Sequence, residues 1–287
     1  MSPPVDTKNA AAVLSLVRKT FQQLYPGVPG VLFDHVFKDV ENLFAGQHPD
    51  YRANDLHYHN LEHTLQAVVC LTLLLEGAHH VGTHERLSPR QFELAIATAL
   101  LHDSGYATLR SDDKGTGAKY TLTHVLRSCT FAAAYLPTLG VNEQEIVGVL
   151  GAINCTGPDN KISRLSFNNS AERFVGCALA TADLLGQMSA ADYPDKLEAL
   201  YREFLESDNF VDMPKAKRMF QSSQELIMRT PDFWNKLVKP RLETDFQAVY
   251  RFLARPYPDG PNAYVEGVEQ NIAIVRQRIA AIPRTPG

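Results

Sequence analysis

Histidine and aspartate residues in this chain recur at spacings that suit metal binding. His59 and His63 lie four residues apart, and His102 directly precedes Asp103. Residues four apart on a helix share one face, so we expect the first two imidazoles to project together. Further along, Asp183 stands alone within an apolar stretch. Imidazoles and carboxylates together form a borderline ligand set that suits a divalent ion.

Hydrolysis of a phosphate ester is one reaction that such an ion can support. A phosphate ester is a poor electrophile shielded by negative charge, and a divalent ion neutralises its oxygens and lowers the pKa of a bound water toward ~7. Neutral imidazoles and carboxylates bind Zn, Fe, Mn or Co, whereas Mg prefers oxygen ligands and keeps more waters. We therefore expect one or two divalent ions, with the identity left open among these five metals.

Asp183 is informative because of its surroundings. A carboxylate in so apolar a helix is costly unless a cation or a hydrogen-bond donor faces it. A metal ion meets that need, and an ordinary hydrogen-bonded aspartate is the alternative interpretation.

The ordered set resembles the HD superfamily of metal-dependent phosphohydrolases. Its first part, Tyr-His-Asn-x-x-His at residues 58–63, is similar to that of class I cyclic-nucleotide phosphodiesterases. The resemblance covers roughly residues 58–188 and includes the later His-Asp and Ala-Asp-Leu segments. It implies a helical fold, hydrolysis of a nucleotide-like small phosphate ester, and four ligands of a first metal: His63, His102, Asp103 and Asp183.

Two residues are assigned catalytic roles by this resemblance. Asp103 would share an oxygen with a second ion. His59 matches the histidine that donates a proton to the leaving alkoxide, and an imidazole with a pKa near ~6.5 suits that task at neutral pH. A helix-capping or supporting histidine is the plainer interpretation of His59.

Five more residues are predicted to contact the substrate or to support the ligands: Tyr58, Asn60, Tyr106, His124 and Lys119. Asn60 is a candidate to orient an imidazole, and Tyr106 or Lys119 could contact a phosphate. His124 lies where several HD families carry a ligand of a second metal, so it is predicted either as that ligand or as a substrate contact.

Two departures from the family pattern leave other functions open. HD oxygenases with a mixed-valence di-iron centre have two histidines between His-Asp and the last Asp, whereas here only His124 lies in that interval. Cys155 lies near the position of the second of these histidines, and it could supply only a thiolate as a ligand. In addition, the phosphodiesterases have another His and a Gly after His-Asp, whereas this chain has Ser104 and Gly105. The substrate is therefore left open between a phosphomonoester and a phosphodiester. A non-catalytic, ligand-sensing HD module is the third alternative, and the intact ligand set disfavours it.

Composition limits the partners and the compartment. The chain has 287 residues, 45% hydrophobic and 21% charged, as is ordinary for a globular protein. A net charge of -4 gives no electrostatic reason to expect nucleic acid or an anionic membrane as partner. The cysteines lie singly, the N-terminal residues lack a signal-peptide pattern, and the longest apolar run, 67–75, is far below the ~20 residues of a membrane span. We expect a cytoplasmic protein.

The elements that must position these residues have helical period almost throughout. Ser88 and Gln91, for example, form a capping-box start with a proline in the first turn. We find no alternating strand pattern, and we expect an all-α HD-domain helical bundle with an appended C-terminal helical segment. The chain is interpreted as a single domain over 1–287, with a metal-binding core at about 56–190 and a cap at about 191–287. A loop is expected at 77–87, and helices in the cap at 194–207, 214–229, 231–253 and 264–282.

Overall fold

The described part of the chain is entirely α-helical in class. The computed structural model describes residues 5–82, 86–158 and 160–281, and no β-strand forms within them. The nearest approach to a sheet is one isolated antiparallel bridge between Tyr51 and Leu109. The predicted all-α bundle is confirmed at this level.

Helices of very different length follow one another along the chain. The α-helices are α1 (Ala10–Leu24), α2 (Leu32–Phe44), α3 (Leu61–Val81), α4 (Pro89–Leu101), α5 (His124–Tyr135), α6 (Glu143–Asn154), α7 (Ser170–Met188), α8 (Tyr193–Phe210), α9 (Ser223–Asp232), α10 (Lys239–Glu243) and α11 (Ala263–Ala280). Short 3₁₀ turns cover Ser104–Tyr106, Gly117–Tyr120, Leu136–Leu139, Ile162–Arg164, Lys215–Lys217 and Val249–Leu253.

Helix α3 is the centre of the bundle. Most of its residues are buried all round the helix, which is the pattern of a core helix. By length and composition α3 could cross a membrane, and most of its apolar window is buried inside the protein. Its main partner is α7. The two backbones approach closely at Gly186, where a Cβ would lie 2.8 Å from the carbonyl oxygen of Gln66.

The predicted loop at 77–87 is wrong in its first half. Helix α3 continues through Gly77 to Val81 and ends at Gly82, which adopts φ 68°. Gly77 does not stop the helix because its missing side chain serves packing: a Cβ there would lie 2.0 Å from the carbonyl oxygen of Phe252. Residues 83–85 of the predicted loop lie outside the described residues.

The helices predicted at 214–229 and 231–253 are also wrong in extent. Within these ranges the α-helices are Ser223–Asp232 and the short Lys239–Glu243, and a π-helical segment, Phe233–Val238, lies between them. Pro231 and Pro240 each lack the amide that the i→i−4 ladder needs, and each lies two residues from an end of the π-helical segment. Helix α11 begins at Ala263, close to the prediction, and residue 282 at its predicted end lies outside the described part.

The C-terminal helices share one apolar core with the rest. The buried cluster runs from α1 through Leu197 of α8 and Trp234 to Val268 of α11. Asn271 of α11 ties this segment to the end of α7, since its Nδ2 donates to the carbonyl oxygens of Met188 at 2.8 Å and Ala190 at 2.7 Å. Helix α8 begins at Tyr193, shortly after these two hydrogen bonds.

Candidate metal centre

Three predicted ligands meet where α3 begins and α4 ends. His63 is in the first turn of α3, His102 is the C-cap of α4, and Asp103 follows it. One ligand atom from each lies within 4.8 Å of the other two, and all three residues are buried. This group could hold a metal ion.

The fourth predicted ligand, Asp183, approaches the same imidazoles from α7. Its Oδ1 lies 3.3 Å from His63 Nε2 and 3.6 Å from His102 Nε2. On the other carboxylate, Asp103 Oδ2 lies 3.1 Å and 3.4 Å from those two nitrogens. The structure therefore brings the four side chains to one place, with the two carboxylates sharing the two imidazoles.

Three buried atoms of this group, His63 Nδ1, His102 Nε2 and Asp103 Oδ2, have no hydrogen bond to any described residue. Of these, His102 Nε2 and Asp103 Oδ2 are the two that face the other ligands of the group. The other ring nitrogen, His102 Nδ1, lies 2.7 Å from the carbonyl oxygen of Ala99, so Nδ1 is the donor and Nε2 keeps its lone pair. Unpartnered buried polar atoms are uncommon and costly. A divalent ion would satisfy both, so the donor set fits a metal.

Without an ion, the group balances its charges by holding protons on the imidazoles. Burial acts to lower the pKa of His63, but Asp103 and Asp183 outweigh burial and raise it to about 10. Burial acts to raise the pKa of Asp103, but His102 and His63 hold it well below its usual range. The same two imidazoles lower the pKa of Asp183 against the effect of burial. At neutral pH the metal-free group therefore carries a proton on His63 between two carboxylates.

Metal binding should consequently release protons. His63 must be neutral to ligate, and its pKa of about 10 means that an ion displaces that proton at neutral pH. The same two carboxylates, Asp103 and Asp183, also raise the pKa of His102 against the effect of burial. We expect calorimetric titration with Zn²⁺ in buffers of different ionisation enthalpy to show proton release on binding, with apparent affinity rising as pH rises. In the metal-free protein, the raised pKa of His63 stabilises the folded state. This contribution is complete below pH 6.5 and is lost as the pH rises through about 10. Affinity that does not change with pH would contradict ligation by His63.

His59 does not share a helix face with His63, and that prediction is wrong. Asn60 is the N-cap of α3, and its Oδ1 accepts a hydrogen bond from the His63 backbone N–H at 3.1 Å. The preference of Asn for the N-cap starts the helix at Leu61 and leaves His59 before it. The two rings still lie 5.4 Å apart, edge to face. Asn60 thus positions His63 through the backbone, while its Nδ2 donates to the carbonyl oxygen of His57 at 3.1 Å.

A carboxylate that the sequence analysis missed holds His59. Glu203 of α8 is 5% exposed, and its Oε2 lies 2.6 Å from His59 Nδ1. Its Oε1 accepts a hydrogen bond from the Tyr58 backbone N–H at 2.7 Å. The only signal in the sequence is that Glu203 lies one turn after Leu200 on the inward side of an amphipathic helix. The appended C-terminal segment therefore contributes a residue directly to the candidate site.

Tyr58 and Gln187 form a second link between the two sides of the site. The Tyr58 hydroxyl donates to Gln187 Oε1. Gln187 Nε2 in turn donates to the backbone oxygen of Asp183 at 3.0 Å, one helical turn earlier on α7. Tyr58 is buried, so its place is behind the ligands rather than at the substrate.

Tyr106 lies between two imidazoles in a continuous ring stack. Its ring centroid is 4.6 Å from that of His59 and 4.7 Å from that of His124, with interplanar angles of 17° and 16°. Tyr106 is only 2% exposed, and its hydroxyl has no hydrogen bond to a described residue. The stack fixes the plane of the His59 ring.

His124 faces the second oxygen of Asp103. Its Nε2 lies 3.8 Å from Asp103 Oδ1, and its Nδ1 lies 2.7 Å from the carbonyl oxygen of Thr121. Burial lowers the pKa of His124, which favours the neutral imidazole that a metal needs. Asp103 thus presents Oδ2 to His63 and His102, and Oδ1 to His124.

Lys119 and Cys155 are engaged elsewhere. Lys119 is buried, with Nζ 2.7 Å from Asp112 Oδ2 and a further hydrogen bond to the carbonyl oxygen of Lys114. These contacts join residues of the same polar loop, which lies between Tyr106 and Tyr120. The Cys155 thiol donates to the carbonyl oxygen of Gly151 at 3.3 Å, and burial raises its pKa, so it stays protonated rather than acting as a thiolate ligand.

The candidate site is therefore assembled from distant parts of the chain. Helices α3 and α7 and the end of α4 supply the clustered imidazoles and carboxylates, and α8 supplies the carboxylate that holds His59. Comparison of the chain with models of known protein families and with curated protein sequences gave no match.

Proposed function

We propose that this protein is a metal-dependent phosphohydrolase of the HD type that hydrolyses a small, nucleotide-like phosphate ester in the cytoplasm. The observation that carries the proposal is the buried group of His63, His102 and Asp103, in which His102 Nε2 and Asp103 Oδ2 lack partners. The order of the motifs around these residues supports the HD assignment.

His63, His102, Asp103 and Asp183 would hold the first ion, and Asp103 Oδ1 with His124 Nε2 would begin a second site. When bound, a divalent ion would neutralise phosphate oxygens and lower the pKa of a water near the ester. The protein itself contributes fixed ligand tautomers, such as the one that Ala99 sets in His102. Imidazole ligands favour Zn, Fe, Mn or Co over Mg.

His59 would donate the proton to the departing oxygen. Because Nδ1 is held by Glu203, Nε2 is the nitrogen left to face a substrate. Its side chain is 15% exposed, whereas that of His63 is only 4% exposed, so His59 is the more accessible of the two to a ligand from solvent. Glu203 and the Tyr106 ring together fix both the tilt and the plane of the imidazole, which lowers the entropy cost of a correctly placed proton donor.

Elemental analysis combined with an activity assay tests this proposal. We expect the purified protein to carry one or two divalent ions per chain and to release nitrophenolate from nitrophenyl phosphate mono- or diesters. A chelator should abolish turnover, and Zn²⁺, Mn²⁺ or Co²⁺ should restore it. Iron at two equivalents with oxygen-dependent turnover would instead favour a di-iron oxygenase. Protein that binds no metal would favour a non-catalytic sensing module.

A further inference from the structure

A cavity lies beside α3, and its lining includes none of the residues of the metal centre. It has a volume of about 620 Å³ and is bounded by α3, the end of α7, the start of α11 and residues 7–8 before α1. Pockets for small molecules are typically ~300–1,000 Å³. The residues that line it include none of the ligands, nor His59, Tyr106, His124 or Glu203. One stripe of α3 forms a wall: Glu62, Gln66, Val69, Leu73 and Glu76.

Gln66 is an unpartnered polar group on this wall. It is 7% exposed, and its carboxamide makes no hydrogen bond to a described residue. Its backbone oxygen packs against Gly186, which holds this turn of α3 on α7. A carboxamide offers one acceptor and two donors. The Gln66 carboxamide is therefore suited to a molecule that brings its own polar edge into the cavity.

Arg255, an exposed residue, supplies a cation that is held at one nitrogen beside the same cavity. Its Nη1 donates to the carbonyl oxygens of Phe252 at 2.5 Å and Ala254 at 3.0 Å. The Nε and Nη2 edge makes no hydrogen bond or ion pair with a described residue. A guanidinium held through one nitrogen, with its other donors free, is pre-organised for a carboxylate or phosphate.

The other charged residues that line the cavity are mostly acidic. They are Lys8 and the carboxylates of Glu62, Glu76 and Asp192. Lys196, which is not a lining residue, places its Nζ 3.0 Å from both Glu62 and Asp192 and offsets one of these negative charges. An anion would therefore be held by the Arg255 fork itself rather than by a general positive field.

We propose that this cavity binds a small amphipathic organic anion. An apolar ring or chain would lie against Val69 and Leu73, a polar edge would meet Gln66, and a carboxylate, phosphate or similar oxyanion would meet Arg255. This site is independent of the proposed phosphohydrolase activity.

Two dyes that share an apolar body test the proposal. Anilinonaphthalene sulfonate carries an anion, and phenylnaphthylamine is its neutral counterpart. With the full-length protein we expect one saturable sulfonate site per chain, bound about tenfold more tightly than the neutral dye. Arg255→Gln should weaken the sulfonate about tenfold and leave the neutral dye unchanged, and Gln66→Leu should weaken the sulfonate. Leu73→Trp, which fills the cavity, should abolish binding of both.

Matched controls separate this cavity from other apolar surface. Leu126→Trp and Arg202→Gln change exposed residues elsewhere and should not alter binding. Asp103→Ala should also bind both dyes normally. Unsaturable binding, or binding that survives both Leu73→Trp and Gln66→Leu, would overturn the proposal. Loss of binding in Asp103→Ala would overturn it too, since the dye would then occupy the metal centre. A cooperative thermal transition in each variant excludes dye binding to loosened protein.

Discussion

Replacing Asp103 with alanine is expected to abolish metal-dependent turnover while the helical fold survives. Asp103 Oδ2 belongs to the closest ligand group, and Oδ1 faces His124. One substitution therefore removes an oxygen from both proposed metal positions. We expect turnover to fall by roughly 10³-fold or more, since the metal supplies most of the charge neutralisation.

The same substitution should change proton release on metal binding. Asp103 and Asp183 both raise the pKa of His63, and Asp103 has the larger effect. Without it, the pKa of His63 should fall toward the value that burial favours, so residual metal binding should release fewer protons. Calorimetry and turnover together distinguish this mechanism from simple unfolding.

A surface aspartate provides the matched control for Asp103. Asp259 has a side chain that is 83% exposed, with Arg251 at 3.9 Å. Asp259→Ala should keep wild-type metal content and turnover, because an exposed ion pair contributes little to stability. Circular dichroism should show the same helical content in both variants. Full turnover in Asp103→Ala with metal still bound would contradict the proposed centre.

The sequence allowed the local parts of this site to be anticipated, because they depend on short-range chemistry. The capping box predicted at Ser88 and Gln91 is present, and α4 starts directly after Ser88. The helix that starts at this capping box ends at His102, which is its C-cap and directly precedes Asp103. Such features are encoded within a few residues, so no tertiary knowledge is needed to find them.

Two features of the site depend on tertiary contacts and could not be predicted. The bond between His59 and Glu203 joins residues 144 positions apart, and no local pattern specifies such a pair. The ring stack of Tyr106 depends on how α5 packs against the turn that follows α4. The error over His59 was different: the N-cap preference of Asn60 outweighed the helical spacing, and the sequence did contain that signal.

The last prediction separates a proton donor from a ligand. His59→Ala should leave metal content near wild type, because His63, His102, Asp103 and Asp183 all remain. Turnover of an ester with a poor alkoxide leaving group should drop by roughly 10²–10⁴, the usual contribution of positioned proton transfer. The leaving group of a nitrophenyl ester is already a stable anion, so turnover of that ester should fall much less. His35→Ala, an exposed histidine of α2, is the control.

Glu203 extends this test to the C-terminal segment. In Glu203→Gln the amide can still accept from Tyr58, but the charged partner of His59 Nδ1 is gone. We expect the same selective loss for the alkoxide ester, about 10- to 100-fold, with metal content unchanged. Equal slowing of both esters with loss of metal in His59→Ala would make His59 a ligand or a structural residue. That result would also weaken the resemblance to the cyclic-nucleotide enzymes, because Tyr58, His59 and Asn60 are the residues that point to them specifically.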